Sequence, residues 1–280
     1  GFLPTRRTKT DRWWSVVLSP LRDQRGKIWR LLAVSRDVTE KNLLEIELRR
    51  TIAHRDEFLS IASHELKTPV TSLKLNAQMQ RRMLEREKPI DRRILVSQVE
   101  ATNRQLDRLG QLIDDMLDVS RIRHGRLPLN PEVVCLAQLT RDVLQRFQGQ
   151  LQVAASSLML EAPDPVIGFW DSHRLEQVLA NLVTNCLKYA AGAPIHVRVA
   201  TEGGDGLVVV KDGGKGIAVC DHERVFQRFE RGQHPGASGL GLGLYICREI
   251  VEAHRGRITL RSAEGEGASF EVRLPMGPGA

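Results

Sequence analysis

No stretch of this 280-residue chain approaches the roughly 18 consecutive apolar residues that a membrane-spanning helix requires. Its start, GFLPTRRTKT, lacks the apolar core of a secretory signal. It opens on Gly1 rather than Met, so it reads as a piece of a longer chain. The four cysteines, Cys135, Cys186, Cys220 and Cys247, are scattered, with no CxxC and no Cys/His cluster. That spacing argues against structural zinc and a disulfide framework and fits a reducing cytoplasm, the expected location. A basic recognition helix is also missing. Of the formal charge of +7, residues 1–56 hold nearly all, with 13 Lys and Arg against 7 Asp and Glu. The excess reads as a solvated N-terminal stretch, and no nucleic acid partner is expected. What remains is an ordinary globular composition, 41% hydrophobic and 27% charged, long enough for about two domains.

Periodicity divides the chain. RWWSVVLSPL (12–21) and IWRLLAVSRDV (28–38) are β-rich and meet across a turn containing Gly26, the pattern of a hairpin. Asp37, with Glu40 three residues on, is placed to cap a following helix. From about 40 to 86, Leu44, Leu48, Ile52, Leu59, Ala62, Leu66, Val70, Leu73 and Ala77 recur at intervals of three, four or seven, as on a packed helix. KPID, with Pro89, breaks the pattern. A second helix then carries Leu95, Val99, Thr102, Leu106, Leu109, Ile113, Met116 and Ser120 at alternating four and three. Two such helices form an antiparallel hairpin that cannot enclose its own stripe, so a homodimeric four-helix bundle is expected. RHGRLPLNPE reads as a linker. Beyond it, helices are expected near 135–148, 172–190 and 240–254. Strands are expected near 157–161, 166–170, 194–201, 206–212, 256–262 and 268–274, giving an α/β sandwich with helices over a mixed sheet.

Four segments carry chemistry. In HELKTP, His64 lies about 200° from both Ala62 and Leu66 at about 100° per residue, so it points away from the apolar stripe. An exposed histidine is usually a bystander, but Glu65 can hold one imidazole tautomer, and Pro69 deprives the carbonyl of Glu65 of its donor. Asn181 and Asn185 stand four apart on one face of an otherwise apolar helix. Their amide oxygens are hard ligands suited to Mg²⁺, and left unpartnered there they would be costly. Asp212 closes the apolar strand LVVVKD and opens DGGKGI; its carboxylate can accept from an exocyclic amine, while Gly214 and Gly216 permit tight turns. GLGLGL, with Gly239, Gly241 and Gly243, precedes a helix and can close backbone N–H groups around phosphate oxygens. It is neither a Walker motif nor a Rossmann fingerprint.

In this order the four segments resemble the histidine protein kinases of two-component signalling, over roughly residues 40 to 275. The strands ending in Asp-Val-Thr-Glu resemble the end of a PAS sensor domain. The implied fold is α+β multidomain, a dimeric helical hairpin followed by the ATP-binding sandwich shared by gyrase, a chaperone and histidine kinases. The implied boundaries are a PAS remnant at 1–39, a signalling helix and phosphotransfer hairpin at 40–124, a linker at 125–133, a catalytic domain at 134–276 and a tail at 277–280. The resemblance makes His64 the phosphoacceptor, with Glu65 and Thr68 beside it, Thr68 orienting water for dephosphorylation of the partner. It assigns Mg²⁺ to Asn185 and ATP contacts to Asn181, Lys188, Tyr189, Asp212, Gly214, Gly216, Gly239, Leu240, Gly241, Leu242 and Gly243. VFQRFER resembles the F box, with Arg228 and Arg231 as candidates for the γ-phosphate. The stretch from Gly216 to Gly239 would cover the nucleotide. Cys186, Gly213 and Lys215 stand where the family usually has Ala, Asn and Pro.

The expected activity is ATP-dependent phosphorylation of His64, then transfer to an aspartate on a separate response-regulator receiver domain. Two rivals are a catalytically inactive nucleotide-binding scaffold and an ATPase of the same fold. Intact His64, Glu65, Asn185 and Asp212 count against the first. The second needs a catalytic glutamate in the asparagine helix, where Glu176-Gln177 offers one a turn before Asn181, and it has no use for HELKTP.

Overall fold

The computed structural model describes residues 2–4, 11–85, 92–123, 125, 127–230 and 240–277. They form two units, Gly1–Ser63 and His64–Ala280. In the first, β2 (Asp11–Arg22) and β3 (Ile28–Asp37) form an antiparallel hairpin, and the short β1 (Phe2–Pro4) adds to β2. The turn is pinned by the Asp23 carboxylate, which accepts the N–H groups of Arg25 and Lys27 at 2.9 Å each. Asp37 caps as expected, accepting the N–H of Thr39 at 3.0 Å where α1 (Thr39–Leu84) begins. These bonds from Thr39, with Arg12 at 3.1 Å, hold its carboxyl below the ordinary range.

In the second unit the remainder of α1 and α2 (Arg92–Arg123) supply the two expected helices, and Pro69 lies buried inside α1 without ending it. The break at KPID lies outside the described residues. One hairpin leaves much of its stripe uncovered: Leu66, Leu73, Leu109 and Met116 are half-buried, but Val70 and Leu106 are 50% exposed.

The α/β part contains every strand the pattern predicted. β5 (Leu158–Glu161), β7 (Ile195–Glu202), β8 (Asp205–Asp212), β10 (Ala268–Pro275) and β9 (Arg257–Ser262) form one sheet in that spatial order, antiparallel except for β5 against β7. Alternation decides its inner face: Ile195, Val197 and Val199 from β7 and Ala268, Phe270, Val272 and Leu274 from β10 are buried. Over this face pack α3 (Leu136–Arg146), α5 (Ser172–Tyr189) and α6 (Gly243–Ala253). Each fully buried Val, Leu or Ile contributes about 1.5–3 kcal/mol.

Two boundaries differ from expectation. The region read as linker turns into β4 (Glu132–Cys135), which pairs with β6 (Ile167–Trp170); that partner lies some 35 residues away, beyond the reach of local pattern. The helix expected to 148 ends at Arg146, and a separate α4 (Gln148–Val153) follows the bend at Phe147. Trp170 ties the small sheet to the large one, donating its indole N–H to the carbonyl of Pro275 at 2.8 Å.

Helices α5 and α6 are joined at their ends through buried polar groups. The Asp171 carboxylate caps α5 by accepting the N–H of Arg174 at 3.0 Å. Its own N–H donates to Nε2 of His254 at 3.0 Å, and His254 gives its Nδ1 proton to the carbonyl of Ile250 at 2.8 Å. That arrangement requires a neutral ring, and burial lowers the His254 pKa below its usual value of 6.5. Because the folded pKa is depressed, this contribution is present above pH 6.5 and is lost as pH falls through the lower, folded value. Urea melts between pH 8 and 5 check this: the wild-type stability should fall over that window more steeply than that of His254→Gln, which keeps an acceptor but does not titrate.

Candidate functional site

The phosphoacceptor candidate is presented as the helical pattern requires. The His64 side chain is 79% exposed, while Glu65 next to it is buried. One Glu65 oxygen lies 3.6 Å from His64 Nδ1, longer than a hydrogen bond, and the other lies 3.5 Å from Arg108 of α2. A buried carboxylate without a cation would be costly, so Arg108 holds Glu65 beside the exposed imidazole. One turn on, the Thr68 hydroxyl donates to the carbonyl of His64 at 3.1 Å. Pro69, which has no N–H, cannot donate to the carbonyl of Glu65 as another residue at that helical position would.

The second cluster is built where α5, the end of β8 and the start of α6 meet. Asn181 and Asn185 are both half-buried on α5. The Asn181 amide nitrogen is buried with no hydrogen-bond acceptor among the described residues, and its side chain faces Gly243, where an added Cβ would sit 3.6 Å from the Asn181 amide carbon. Leu242 precedes α6 without a side-chain cap, so the first N–H groups of an 11-residue helix are left for an anion. Leu240 and Leu242 are buried beneath this turn.

Asp212 is buried, and one oxygen accepts the N–H groups of Gly214 at 2.8 Å and Ala268 at 3.2 Å. Cys186 lies against it. Burial first, then the neighbouring Asp212 carboxylate, pushes that thiol far above its ordinary pKa, so it stays protonated as a donor. Two glycines of the site are sterically required. Gly216, at φ +74°, would drive a Cβ to 1.9 Å from the carbonyl oxygen of Ala263. Gly241, at φ +66°, would place one 2.7 Å from that of Glu230.

Around this cluster, Lys188 lies over the ring of Tyr189, 4.9 Å from its centroid. Arg228 is engaged with a residue that sequence reasoning missed: its guanidinium stacks on Tyr245 at 4.6 Å and donates to the phenol oxygen at 2.6 Å. The aromatic at the third position of the glycine-headed helix was the available signal. Arg231 and Gly239 lie outside the described residues.

These features suit a nucleotide: an orphaned amide donor, an uncapped helix start and a carboxylate held by backbone. Among the described residues no group of three or more His, Cys, Asp or Glu is arranged to hold a metal. A magnesium ion here would be held by the Asn185 amide oxygen together with phosphate oxygens.

Comparison with known proteins matches three segments of the chain. Residues 54–125 match the His Kinase A (phospho-acceptor) domain, and residues 170–278 match the histidine kinase-, DNA gyrase B- and HSP90-like ATPases. Residues 2–43 match a PAS fold. The alginate biosynthesis sensor protein KinB of Pseudomonas aeruginosa is 34% identical over 266 residues, 94% of this chain but only 42% of that protein. The chain thus spans less than half the length of this curated relative. The solved histidine kinase AdeS of Acinetobacter baumannii is similar at a TM-score of 0.58 and 25% identity, covering 76% of this chain and 98% of AdeS. The histidine kinase ThkA, solved in complex with the response regulator TrrA, shares the fold at a TM-score of 0.54 and 22% identity, over 98% of this chain and 77% of its own. No helix among the described residues is long and apolar enough to cross a membrane.

Asp212→Ala should cost about 1–3 kcal/mol of stability by stranding the N–H groups of Gly214 and Ala268, whereas Asp212→Asn, which keeps an acceptor oxygen, should cost less. Urea melts without nucleotide compare the two.

Proposed function

We propose that this chain, which belongs to the sensor histidine kinases, transfers the γ-phosphoryl group of ATP to His64 and then to an aspartate of a response regulator. The observation that carries the reading is the pairing of an exposed histidine, whose buried neighbour Glu65 is held by Arg108, with a separate cluster whose donors, unsatisfied among the described residues, suit phosphates.

In the proposed mechanism the adenine amine donates to the Asp212 carboxylate, and the N–H groups at the start of α6 hold the phosphates. Gly214, Gly216, Gly241, Gly243, Leu240 and Leu242 shape that cradle, while Asn181, Lys188 and Tyr189 flank it. Mg²⁺, held through Asn185, would neutralise charge on the β- and γ-phosphates. Glu65 faces the Nδ1 side of His64 and accepts its proton in the reacting rotamer, so Nε2 carries the attacking lone pair. The N–P bond forms as the bond from the γ-phosphorus to the bridging oxygen breaks, and ADP leaves with that electron pair. A receiver carboxylate oxygen then attacks phosphorus, and the N–P bond breaks. The γ-phosphate contact is proposed for the F-box arginines, Arg228 and Arg231. The Thr68 hydroxyl, its proton given to the carbonyl of His64, keeps lone pairs to orient a water for dephosphorylating the regulator.

The assembly proposed is a homodimer through the hairpin, because the stripe exposed on α1 and α2 needs a second copy to cover it. The division proposed is a PAS remnant at 1–39, a hairpin at 40–124, a linker at 125–133, a catalytic domain at 134–276 and a tail at 277–280. The regulator is proposed as a separate protein, as TrrA is for ThkA.

His64→Gln should abolish acid-labile, base-stable labelling from γ-labelled ATP while nucleotide binding persists; undiminished labelling would move the acceptor elsewhere. Asn185→Ala should reduce labelling by about 100-fold or more through lost metal positioning, and Asp212→Asn should weaken ATP binding by about tenfold, read by titration with a fluorescent nucleotide. Thr68→Ala should leave His64 labelling largely intact and slow the decay of a phosphorylated regulator several-fold; equal decay rates would remove the water-orienting role.

A further inference from the structure

The second hairpin helix carries a polar stripe beside its apolar one. Arg108, Gln111, Asp115 and Asp118 follow at intervals of three, four and three, one face of α2. At its upper end Arg108 meets Glu65, the neighbour of His64. At its lower end Asp118, 5% exposed, accepts from Nη1 of Arg174 at 2.8 Å and from the Gln177 amide at 2.8 Å. Arg174 is 9% exposed and also donates to the Gln177 oxygen at 2.9 Å. This ion pair joins the hairpin to the helix that bears the two asparagines.

Between the two ends, Asp115 is half-buried and accepts from the Gln111 amide at 2.8 Å. Burial first, then its neighbours Asp118 and Asp114, pushes its carboxyl up to about 6. Helix α2 also packs against α6, where Cys247, its thiol pushed up first by burial, donates to the carbonyl of Val178 and lies beside Asn181. The ion pair at Asp118 and the packing of α2 on α6 give a direction. Moving from Asp118 to Asp115 along α2 corresponds to moving from Arg174 toward Asn181 along α5, so the asparagine end of α5 points toward His64. The lengths agree as well. At about 1.5 Å per residue, Asp118 lies about 15 Å below Arg108, and Asn185 lies about 16 Å beyond Arg174.

We infer that Asp118 and Arg174 are positioning residues: their buried pair is the pivot on which the catalytic domain engages the hairpin, and it sets the register that brings the Asn185 end of α5 to the level of His64. The inference rests on the kinase reading above. Neither residue touches nucleotide or the reacting atoms; each acts through the placement of α5. A buried pair suits this task. Asp118 also has Arg121, 52% exposed, 3.6 Å from its other oxygen. Loss of Asp118 would nonetheless leave the buried Arg174 guanidinium without its counter-charge, so the domain is held in one register.

The test uses the full chain with Asp118→Arg, Arg174→Asp and the double exchange that restores the pair in reverse. For His64 labelling, each single variant should lower kcat by about tenfold or more with the KM for ATP unchanged, since misplacement rather than binding is at fault. The double exchange should recover most of the loss. Wild-type kcat in both singles, or a double no faster than the slower single, would overturn the pivot. Hydrogen exchange of the α2 amides near Asp118 is measured in parallel. It should rise in each single and return in the double, and it reads docking whether or not label is incorporated. Failure of wild-type labelling with that exchange pattern intact would refute the kinase reading but not the docking contact. Unchanged exchange in the singles would refute the pivot itself.

Discussion

The Asp171 side chain is the constraint on which the catalytic half of the molecule depends. One oxygen caps α5 through Arg174, the other accepts the N–H of Asn130 at 2.8 Å, and the backbone N–H holds His254 at the end of α6. A single residue thus fixes the entry of the linker, the start of the asparagine helix and the end of the glycine-headed helix. Burial alone would keep α5 and α6 in contact, but it is non-directional and would not fix their register. These directional bonds decide that Asn181 faces Gly243 rather than a residue a turn away.

The two halves of the proposed chemistry are built on different principles. The proposed nucleotide cradle is backbone-made: Asp212 is held by two N–H groups, Gly216 and Gly241 sit where no side chain fits, and α6 starts without a side-chain cap among the described residues. Such a site is rigid and pre-formed. The phosphoacceptor is the reverse, an exposed ring on a helix face with one braced neighbour. A rigid donor site and an accessible acceptor suit a reaction whose partners must meet, react and separate.

Much of this was legible in the sequence because the controlling signals are local. Strand alternation in β7 and β10, the stripe on α1 and α2, and the exposure of His64 all follow from residues within a few positions of one another. What stayed hidden was non-local. β4 is only four residues long and exists because β6 pairs with it. Tyr245 reads as one more apolar helix position until Arg228 is laid across its ring. Asp118 and Arg174 read as solvated charges, since nothing in either segment announces a partner 56 residues away. The end of the helix at Arg146 depends on the bend at Phe147, which no proline or glycine marks.

The place of β10 in the sheet has a consequence for how the chain comes to life during synthesis. β10 follows every other strand in sequence, yet it lies between β8 and β9, and its first residue, Ala268, supplies one of the two amides that hold Asp212. A nascent polypeptide that has released α5, β8 and even the glycine turn therefore still has only half of the pocket proposed for adenine. Long-range pairings of this kind form late because their loops must close first. Affinity for nucleotide should consequently switch on only when β10 inserts, so a chain in which that strand has yet to pair draws nothing from the cell's ATP.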